Sequence, residues 1–100
     1  MNELIKKVQI WSASKGLHEA HPEKQMLKVV EEIGEVAAGL ARGNHEAIKD
    51  GIGDSFVTLI ILCQQLRTTP EECLEMAYEA IKSRQGKTVN GIFVKQEDIK

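Results

Sequence analysis

The chain has 100 residues, of which 42% are hydrophobic and 28% charged, and its formal net charge is −2. This length suits a single domain, residues 1–100, whose small core would gain from burial against another subunit. The slight negative charge excludes nucleic-acid binding through a basic surface alone. An aromatic content of 4% argues against a large β-sandwich.

The sequence predicts a cytoplasmic protein without a signal peptide or a membrane span. Charged residues near the start, such as Lys6 and Lys7, take the place of the apolar run that a signal peptide needs. The longest apolar run, 56–63, is much shorter than a membrane-spanning helix. Cys63 and Cys73 lack a CxxC spacing and lie in apolar stretches, which is typical of reduced core thiols.

The first half of the chain carries two clear helix signals. One helix is predicted over Asn2–Ser14, with Gly16 ending it. A second is predicted over Pro22–Arg42, because proline suits the first turn of a helix and Gly43-Asn44 is a typical pair after its end.

The second half carries two further helix signals and a weak strand signal. A third helix is predicted over about 45–67, and a fourth from Thr69-Pro70 to about Arg84. Gly91–Val94 is short and β-prone. Four helices with short connections predict an all-α antiparallel four-helix bundle with a short irregular or β-prone C-terminal tail.

The third predicted helix is apolar on two faces. One stripe at helical spacing consists of Ile48, Ile52, Leu59, Leu62 and Leu66. Nearly opposite to it lie Ala47, Val57 and Ile61. In a bundle this small, a helix buried on two faces is expected to contact another subunit, which predicts a homodimer or homotetramer.

Three carboxylates share one patch of the second predicted helix. Glu31, Glu32 and Glu35 fall within roughly a 100° arc, since residues three and four apart are neighbours on a helix. Lys28 lies on the same arc and offsets one of the three charges. A solvated helix face is the plain interpretation, and a site for a cation is the alternative.

Two aspartates on the third helix favour the cation site. Asp50 and Asp54 are four residues apart and lie on the stripe of Ala47, Val57 and Ile61, where an unpaired charge is costly to bury. Gly51 and Gly53 beside them suit close approach by a neighbouring helix or a ligand. Packed against the glutamate patch, these aspartates would complete an all-oxygen site suited to Mg²⁺ or Mn²⁺.

These motifs resemble those of the MazG-like nucleotide pyrophosphohydrolases, an all-α family marked by EExxE followed by ExxD. Glu31-Glu32-Ile33-Gly34-Glu35 matches the first motif in full. In the second, Asp54 matches, Gly51 stands where the glutamate is expected, and Asp50 lies one residue earlier as a substitute. The tail 82–95 also resembles the closing segment of phage and bacterial members, so the resemblance covers nearly the whole chain.

The resemblance implies a Mg²⁺-dependent conversion of nucleoside triphosphates to monophosphate and pyrophosphate. Metal ligands would come from Glu32, Glu35, Asp54 and Asp50, and either Glu31 or Glu32 would orient or deprotonate the attacking water. Because Gly51 lacks a carboxylate, a catalytically weak MazG-like protein that binds nucleotides or a partner is the rival hypothesis. A helical interaction module with an acidic face is a further one.

Several other residues are candidates to bind the substrate. Four of them are basic: Lys28, Lys82, Arg84 and Lys87. The three near the end of the fourth helix could neutralise phosphate oxygens or complement the helix dipole. Trp11 could stack on a base or pack in a core or interface. Asn90 could contact a base edge or form a turn with Gly91.

Overall fold

The computed structural model describes residues 1–99 and confirms the predicted all-α fold with a β-prone tail. Its elements are α1 (Asn2–Ser14), α2 (Pro22–Arg42), α3 (His45–Gln65), α4 (Pro70–Ile81), β1 (Gly86–Val89) and β2 (Ile92–Lys95). Short 3₁₀ turns lie at Leu17–Glu19 and Gln96–Asp98. The chain divides into two compact units, Met1–Pro70 and Glu71–Lys100.

The ends of α1 and α2 agree with the sequence prediction because each is followed by a left-handed glycine. Gly16 has φ 73° and Gly43 has φ 65°, values that a residue without Cβ adopts readily. The third helix ends at Gln65, before the predicted boundary near Arg67, because Arg67 itself is left-handed with φ 60°. None of the helices in residues 1–99 is long and apolar enough to cross a membrane.

The C-terminal segment is more regular than the sequence predicted. The fourth helix ends at Ile81 instead of near Arg84, and the strand that follows it, β1, was not anticipated. It pairs antiparallel with β2, Gly86 opposite Lys95 and Val89 opposite Ile92. The predicted β-prone piece thus becomes the second strand of a hairpin, shifted by one residue.

In the first unit, α2 and α3 pack closely and antiparallel. The amide nitrogen Nε2 of Gln25 donates a hydrogen bond of 3.0 Å to the carbonyl oxygen of Thr58 near one end of the pair. At the other end, Gly39 lies against Ile48. The buried apolar residues come from three helices of this unit: Ile5, Val29, Ile60 and Ile61.

Several residues predicted to lie in the core are exposed instead. Helical spacing predicts Met26 and Met76 as core residues, yet they are 46% and 73% exposed. Cys73, predicted to be a core thiol, is exposed as well. Of the first apolar stripe of α3, Ile52, Leu59 and Leu66 remain exposed. These predictions were wrong for the single chain because an apolar side chain needs a covering element, and helical spacing alone does not supply one.

The two glycines near the middle of α3 provide a matched test of the helix contact. A Cβ at Gly51 would lie 2.9 Å from Val36 Cγ2 and 3.3 Å from the Val36 backbone nitrogen, whereas nothing lies within 4 Å of one at Gly53. We expect Gly51→Ala to lower the free energy of unfolding by ~1–3 kcal/mol through overpacking. Gly53→Ala should raise it by up to ~1 kcal/mol through helix propensity. Urea unfolding measures both, and equal effects would contradict the contact.

Candidate metal and nucleotide site

Glu32 is the member of the acidic patch that faces α3. It lies between Val29, which is 2% exposed, and Val36, which contacts Gly51, so all three residues share the face that packs on α3. Accordingly the Glu32 side chain is half-buried, whereas Glu31 and Glu35 on either side of it are exposed.

Asp54 meets this patch from α3. It lies one helical turn after Gly51, which contacts Val36. It lies one turn before Thr58, which accepts the hydrogen bond from Gln25. The antiparallel packing therefore brings Asp54 level with Glu32. Asp54 is itself half-buried.

The electrostatics of Glu32 report the same convergence. Desolvation by its surroundings raises the pKa of Glu32 most, followed by the negative charges of Asp54, Glu31 and Glu35, while Lys28 opposes them. Asp54 on α3 contributes more than either neighbour on α2. The structure thus brings together the four acids that the sequence assigned to two separate motifs.

Little positive charge compensates these carboxylates. Lys28 Nζ lies 3.6 Å from Glu31 Oε2, and since both side chains are largely exposed, the pair contributes little to stability. In residues 1–99 no other ion pair within 4.0 Å involves the acids of the patch or Asp54. An additional cation therefore fits the charge of the site.

The carboxylates are not arranged as a finished coordination shell. Among residues 1–99, no three Asp, Glu, His or Cys side chains form a group ready to hold one ion. Asp50 is exposed, and its charge is not among those acting on Glu32. Its role as a substitute ligand stays a prediction.

Gly51→Glu would rebuild ExxD and keep metal binding only if position 51 had room for the side chain, and the structure leaves little. Gly51 is buried, and its missing side chain would point at Val36 on α2 rather than into open space. Any side chain at this position requires Val36 to shift. The absent glutamate is therefore linked to the close helix contact, a relation that the sequence pattern alone does not disclose.

Trp11 is accessible and lines an apolar cavity of about 350 Å³ in the first unit. Its side chain is 50% exposed, and the other lining residues are Leu4, Lys7, Val8 and Val57. Val57 lies one helical turn after Asp54, so the cavity adjoins the face of α3 that carries Asp54. Trp11 is thus excluded from the core of the single chain, and stacking on a base and packing at an interface both remain open.

The predicted basic residues of the second unit have different surroundings. Lys82 Nζ lies 2.7 Å from Glu79 Oε2, so its charge is partly compensated within α4. Lys87 is exposed on β1. Arg84 lines a polar recess together with Lys95, a residue that the sequence analysis did not single out. The sequence did hold a signal for Lys95: a hairpin turn at Asn-Gly, followed by a strand whose side chains alternate between two faces.

Asn90 occupies the turn that the sequence favoured. Asn90 has φ 52° and Gly91 φ 79°, and both lie between the paired residues Val89 and Ile92. Two successive left-handed residues form a type I′ turn, the usual two-residue connection of a hairpin. A contact between Asn90 and a base stays a prediction.

The chain matches the MazG nucleotide pyrophosphohydrolase domain over residues 20–89. It belongs to this family. The MazG match includes the EExxE motif, Asp54 and Arg84, while Trp11, Asn90 and Lys95 lie outside it.

One curated relative is an uncharacterized 18.2 kDa protein in the rep-hol intergenic region of Haemophilus phage HP1 (strain HP1c1). It is 41% identical over 66 residues, which are 65% of this chain and 40% of the relative. The matched part therefore spans less than half of that protein. No solved structure matches the chain significantly.

The repulsion around Asp54 predicts the behaviour of the metal-free protein. Asp54→Asn removes a charge that acts unfavourably on Glu32, so without divalent cations we expect its melting temperature to equal or exceed that of the wild type. Asp98→Asn, in the second unit, serves as the control for loss of one carboxylate. Breaking a buried salt bridge would instead cost about 3–5 kcal/mol. A strong loss of stability in Asp54→Asn would therefore contradict the arrangement described above.

Proposed function

We propose that the chain is a Mg²⁺-dependent nucleoside triphosphate pyrophosphohydrolase, acting in the cytoplasm on an NTP or dNTP to yield the monophosphate and pyrophosphate. Removing unwanted nucleotides from the cellular pool is the corresponding role. The observation that carries the proposal is the position of Asp54 on α3, level with Glu32 of the EExxE motif on α2.

The donor chemistry of the site fits a hard divalent cation. Glu32, Glu35 and Asp54 offer only carboxylate oxygens, which Mg²⁺ prefers and Mn²⁺ also accepts, and Asp50 is the candidate for a further ligand. When bound, the cation would neutralise phosphate oxygens and make a water molecule more acidic. The half-buried position of Glu32 and Asp54 limits competition from bulk water.

The remaining chemistry falls to side chains of the chain itself. A carboxylate oxygen of Glu31 or Glu32 would accept the proton of the attacking water as its oxygen bonds to phosphorus. The bond between phosphorus and the oxygen bridging the α- and β-phosphates would break, and pyrophosphate would leave. Lys28, beside Glu31 on the exposed side of α2, would bind a phosphate oxygen.

The base of the nucleotide would stack on Trp11. The indole ring is half-exposed in an apolar cavity that shares Val57 with the Asp54 face of α3. Aromatic stacking suits every base, so this contact supports affinity more than selectivity.

Replacing a ligand carboxylate by an amide tests the proposed reaction. Glu35→Gln should lower turnover of a mixture of nucleoside triphosphates by about a hundredfold or more, because a neutral amide is a poorer ligand for a hard cation. Glu75→Gln, an exposed carboxylate on α4, is the matched control. Pyrophosphate release is measured with and without Mg²⁺. Release of orthophosphate from a preparation free of other phosphatases, or wild-type turnover in Glu35→Gln, would contradict the proposal.

A catalytically weak nucleotide- or partner-binding protein is the second candidate. It is favoured by position 51, which lacks a carboxylate and is crowded by Val36. This candidate predicts no measurable pyrophosphate release in the same assay. It also predicts that nucleotide and Mg²⁺ together raise the melting temperature, because ligands stabilise the state they bind.

We also propose that the protein acts as a homo-oligomer, at least a dimer, assembled through two apolar seams. Residues on α2 alternate in steps of four and three along its exposed side: Met26, Val30, Ile33, Ala37 and Leu40. Residues on α3 and directly after its end repeat the same steps: Ile52, Phe56, Leu59, Cys63 and Leu66. This is the heptad spacing by which helices pack together in bundles.

The two seams lie next to each other. Ile33 on α2 and Ile52, Phe56 and Leu59 on α3 line one apolar cavity of about 270 Å³. Two such helix pairs, placed face to face, would form a four-helix bundle from two copies, with each seam covered by the same surface of the partner.

A charge in the middle of the seam tests the assembly. Phe56→Asp should convert an oligomer into a species with the 11.1 kDa mass of one chain, because an unpaired carboxylate is costly to bury. Ile10→Asp, at a 70% exposed apolar residue outside both seams, is the control and should leave the mass unchanged. Light scattering at micromolar concentration gives the masses. A wild type that is already a stable monomer would rule out this assembly.

A further inference from the structure

The helix α1 is held in the first unit by few buried side chains. It contacts α3 and the 3₁₀ turn at Leu17–Glu19, and within residues 1–99 it has no contact of similar extent with α2. Only Ile5 and Ser12 of α1 are buried, and of these only Ile5 is apolar. Burial of apolar side chains on α1 therefore does little to fix where this helix lies.

Two adjacent glutamines at the end of α3 hydrogen-bond to the backbone on both sides of Trp11. Nε2 of Gln64 donates a bond of 3.1 Å to the carbonyl oxygen of Gln9, inside α1. Nε2 of Gln65 donates a bond of 2.9 Å to the carbonyl oxygen of Leu17, in the turn after α1. Trp11 lies between these two backbone positions along the chain, so the glutamines fix the segment that carries it.

The face of α3 that carries Asp54 also carries Gln64. Four residues follow one another in steps of three, four and three, which keeps them on one side of a helix: Asp54, Val57, Ile61 and Gln64. Val57 lines the apolar cavity described above together with four residues of α1, among them Trp11. The shape of that cavity therefore depends on how α1 lies on this face of α3.

The hydrogen bonds of the two glutamines select a position for α1 more than they stabilise the fold. The Oε1 atoms of Gln64 and Gln65 are buried and have no hydrogen-bond partner among residues 1–99. A buried acceptor without a partner costs free energy, and this cost offsets the gain from the bond made by Nε2. A methionine in the same place would fill a similar volume without the cost. Each amide donor, however, reaches one particular carbonyl oxygen in one direction, which an apolar contact does not require.

We propose that Gln64 and Gln65 are positioning residues that fix α1 on α3 and thereby hold Trp11 beside the face that carries Asp54. They act on the nucleotide through the indole ring. Their effect on nucleotide affinity rests on the proposed function, in which the base stacks on Trp11. Their effect on Trp11 itself rests on the two hydrogen bonds alone and is tested without a ligand.

The fluorescence of Trp11 reports on its position directly, because it is the only tryptophan of the chain. The double variant Gln64→Met, Gln65→Met is compared with the wild type for quenching by acrylamide and for fluorescence anisotropy. The indole is 50% exposed, so release of α1 should raise the quenching constant by up to about twofold, the limit set by full exposure, and lower the anisotropy. The melting temperature should stay equal or rise, since two buried oxygens without partners are removed.

Gln25→Met is the matched control. Nε2 of Gln25 also donates to a carbonyl oxygen, that of Thr58, but this bond joins α2 to α3. The control should therefore leave the quenching and the anisotropy of Trp11 unchanged. Unchanged quenching and anisotropy in the double variant, or an equal change in Gln25→Met, would overturn the proposal.

A series of protein concentrations separates release of α1 from loss of a subunit contact. Release of α1 within one chain gives the same change in quenching at every concentration. A change caused by dissociation of subunits depends on concentration and would overturn the proposal as well.

The consequence for the nucleotide is measured in the presence of Mg²⁺ with a triphosphate whose α,β bridge is a non-hydrolysable methylene group. The double variant should bind it about tenfold more weakly, a part of what stacking on an aromatic side chain contributes. In the pyrophosphate-release assay the same variant should raise KM and leave kcat near the wild-type value, because binding of the base is lost equally before and during the reaction.

A Trp11→Ala background shows whether this effect passes through the indole ring. There the two methionine substitutions should weaken nucleotide binding no further, because substitutions that act through one contact are not additive. Wild-type affinity in the double variant, or an equal loss in the Trp11→Ala background, would overturn the link to the nucleotide. If the wild type binds no nucleotide, the proposed function fails, while the fluorescence measurements still decide whether Gln64 and Gln65 position α1.

Discussion

Gly51 allows the backbone of α3 to approach α2 until the position of its missing side chain touches Val36. Gly39 does the same for Ile48 further along the pair. This short separation brings Asp54 within electrostatic reach of Glu32, although the two residues lie on different helices and neither is attracted to the other. Packing energy of the apolar residues around them, such as Val29, must offset the repulsion in the metal-free protein.

The acidic site and the apolar seams are products of the same helix pair. One face of α2 carries Glu32 toward α3. Each residue of the exposed seam, from Met26 to Leu40, directly follows a residue of that face in the sequence. A helix rotated slightly about its axis would change both at once. In the assembly proposed above, site geometry and subunit contact would be coupled through α2, and the proposed cation, by drawing Glu32 and Asp54 together, would also adjust the surface offered to a second copy.

Much of the fold could be predicted because its signals are local. Gly16 and Gly43 end their helices through their own backbone conformation, and the EExxE spacing places three acids on one patch wherever the helix lies. The first strand escaped prediction because Gly86 and Lys87 have no strand pattern of their own and become a strand only by pairing with β2. The exposure of Met76 and the lack of room at Gly51 depend on which element lies nearby, and helical spacing holds no information about that.

The contact between Gly51 and Val36 also constrains how this sequence can diverge. A carboxylate at position 51 would complete the family's second motif, yet a single substitution there meets the side chain and the backbone of Val36. Recovering the motif is easier with a smaller residue at position 36, together with a slight widening of the gap between the helices. Positions 36 and 51 should therefore vary together among relatives of this chain: a small residue at 51 with a branched one at 36, and a glutamate at 51 only where position 36 is small.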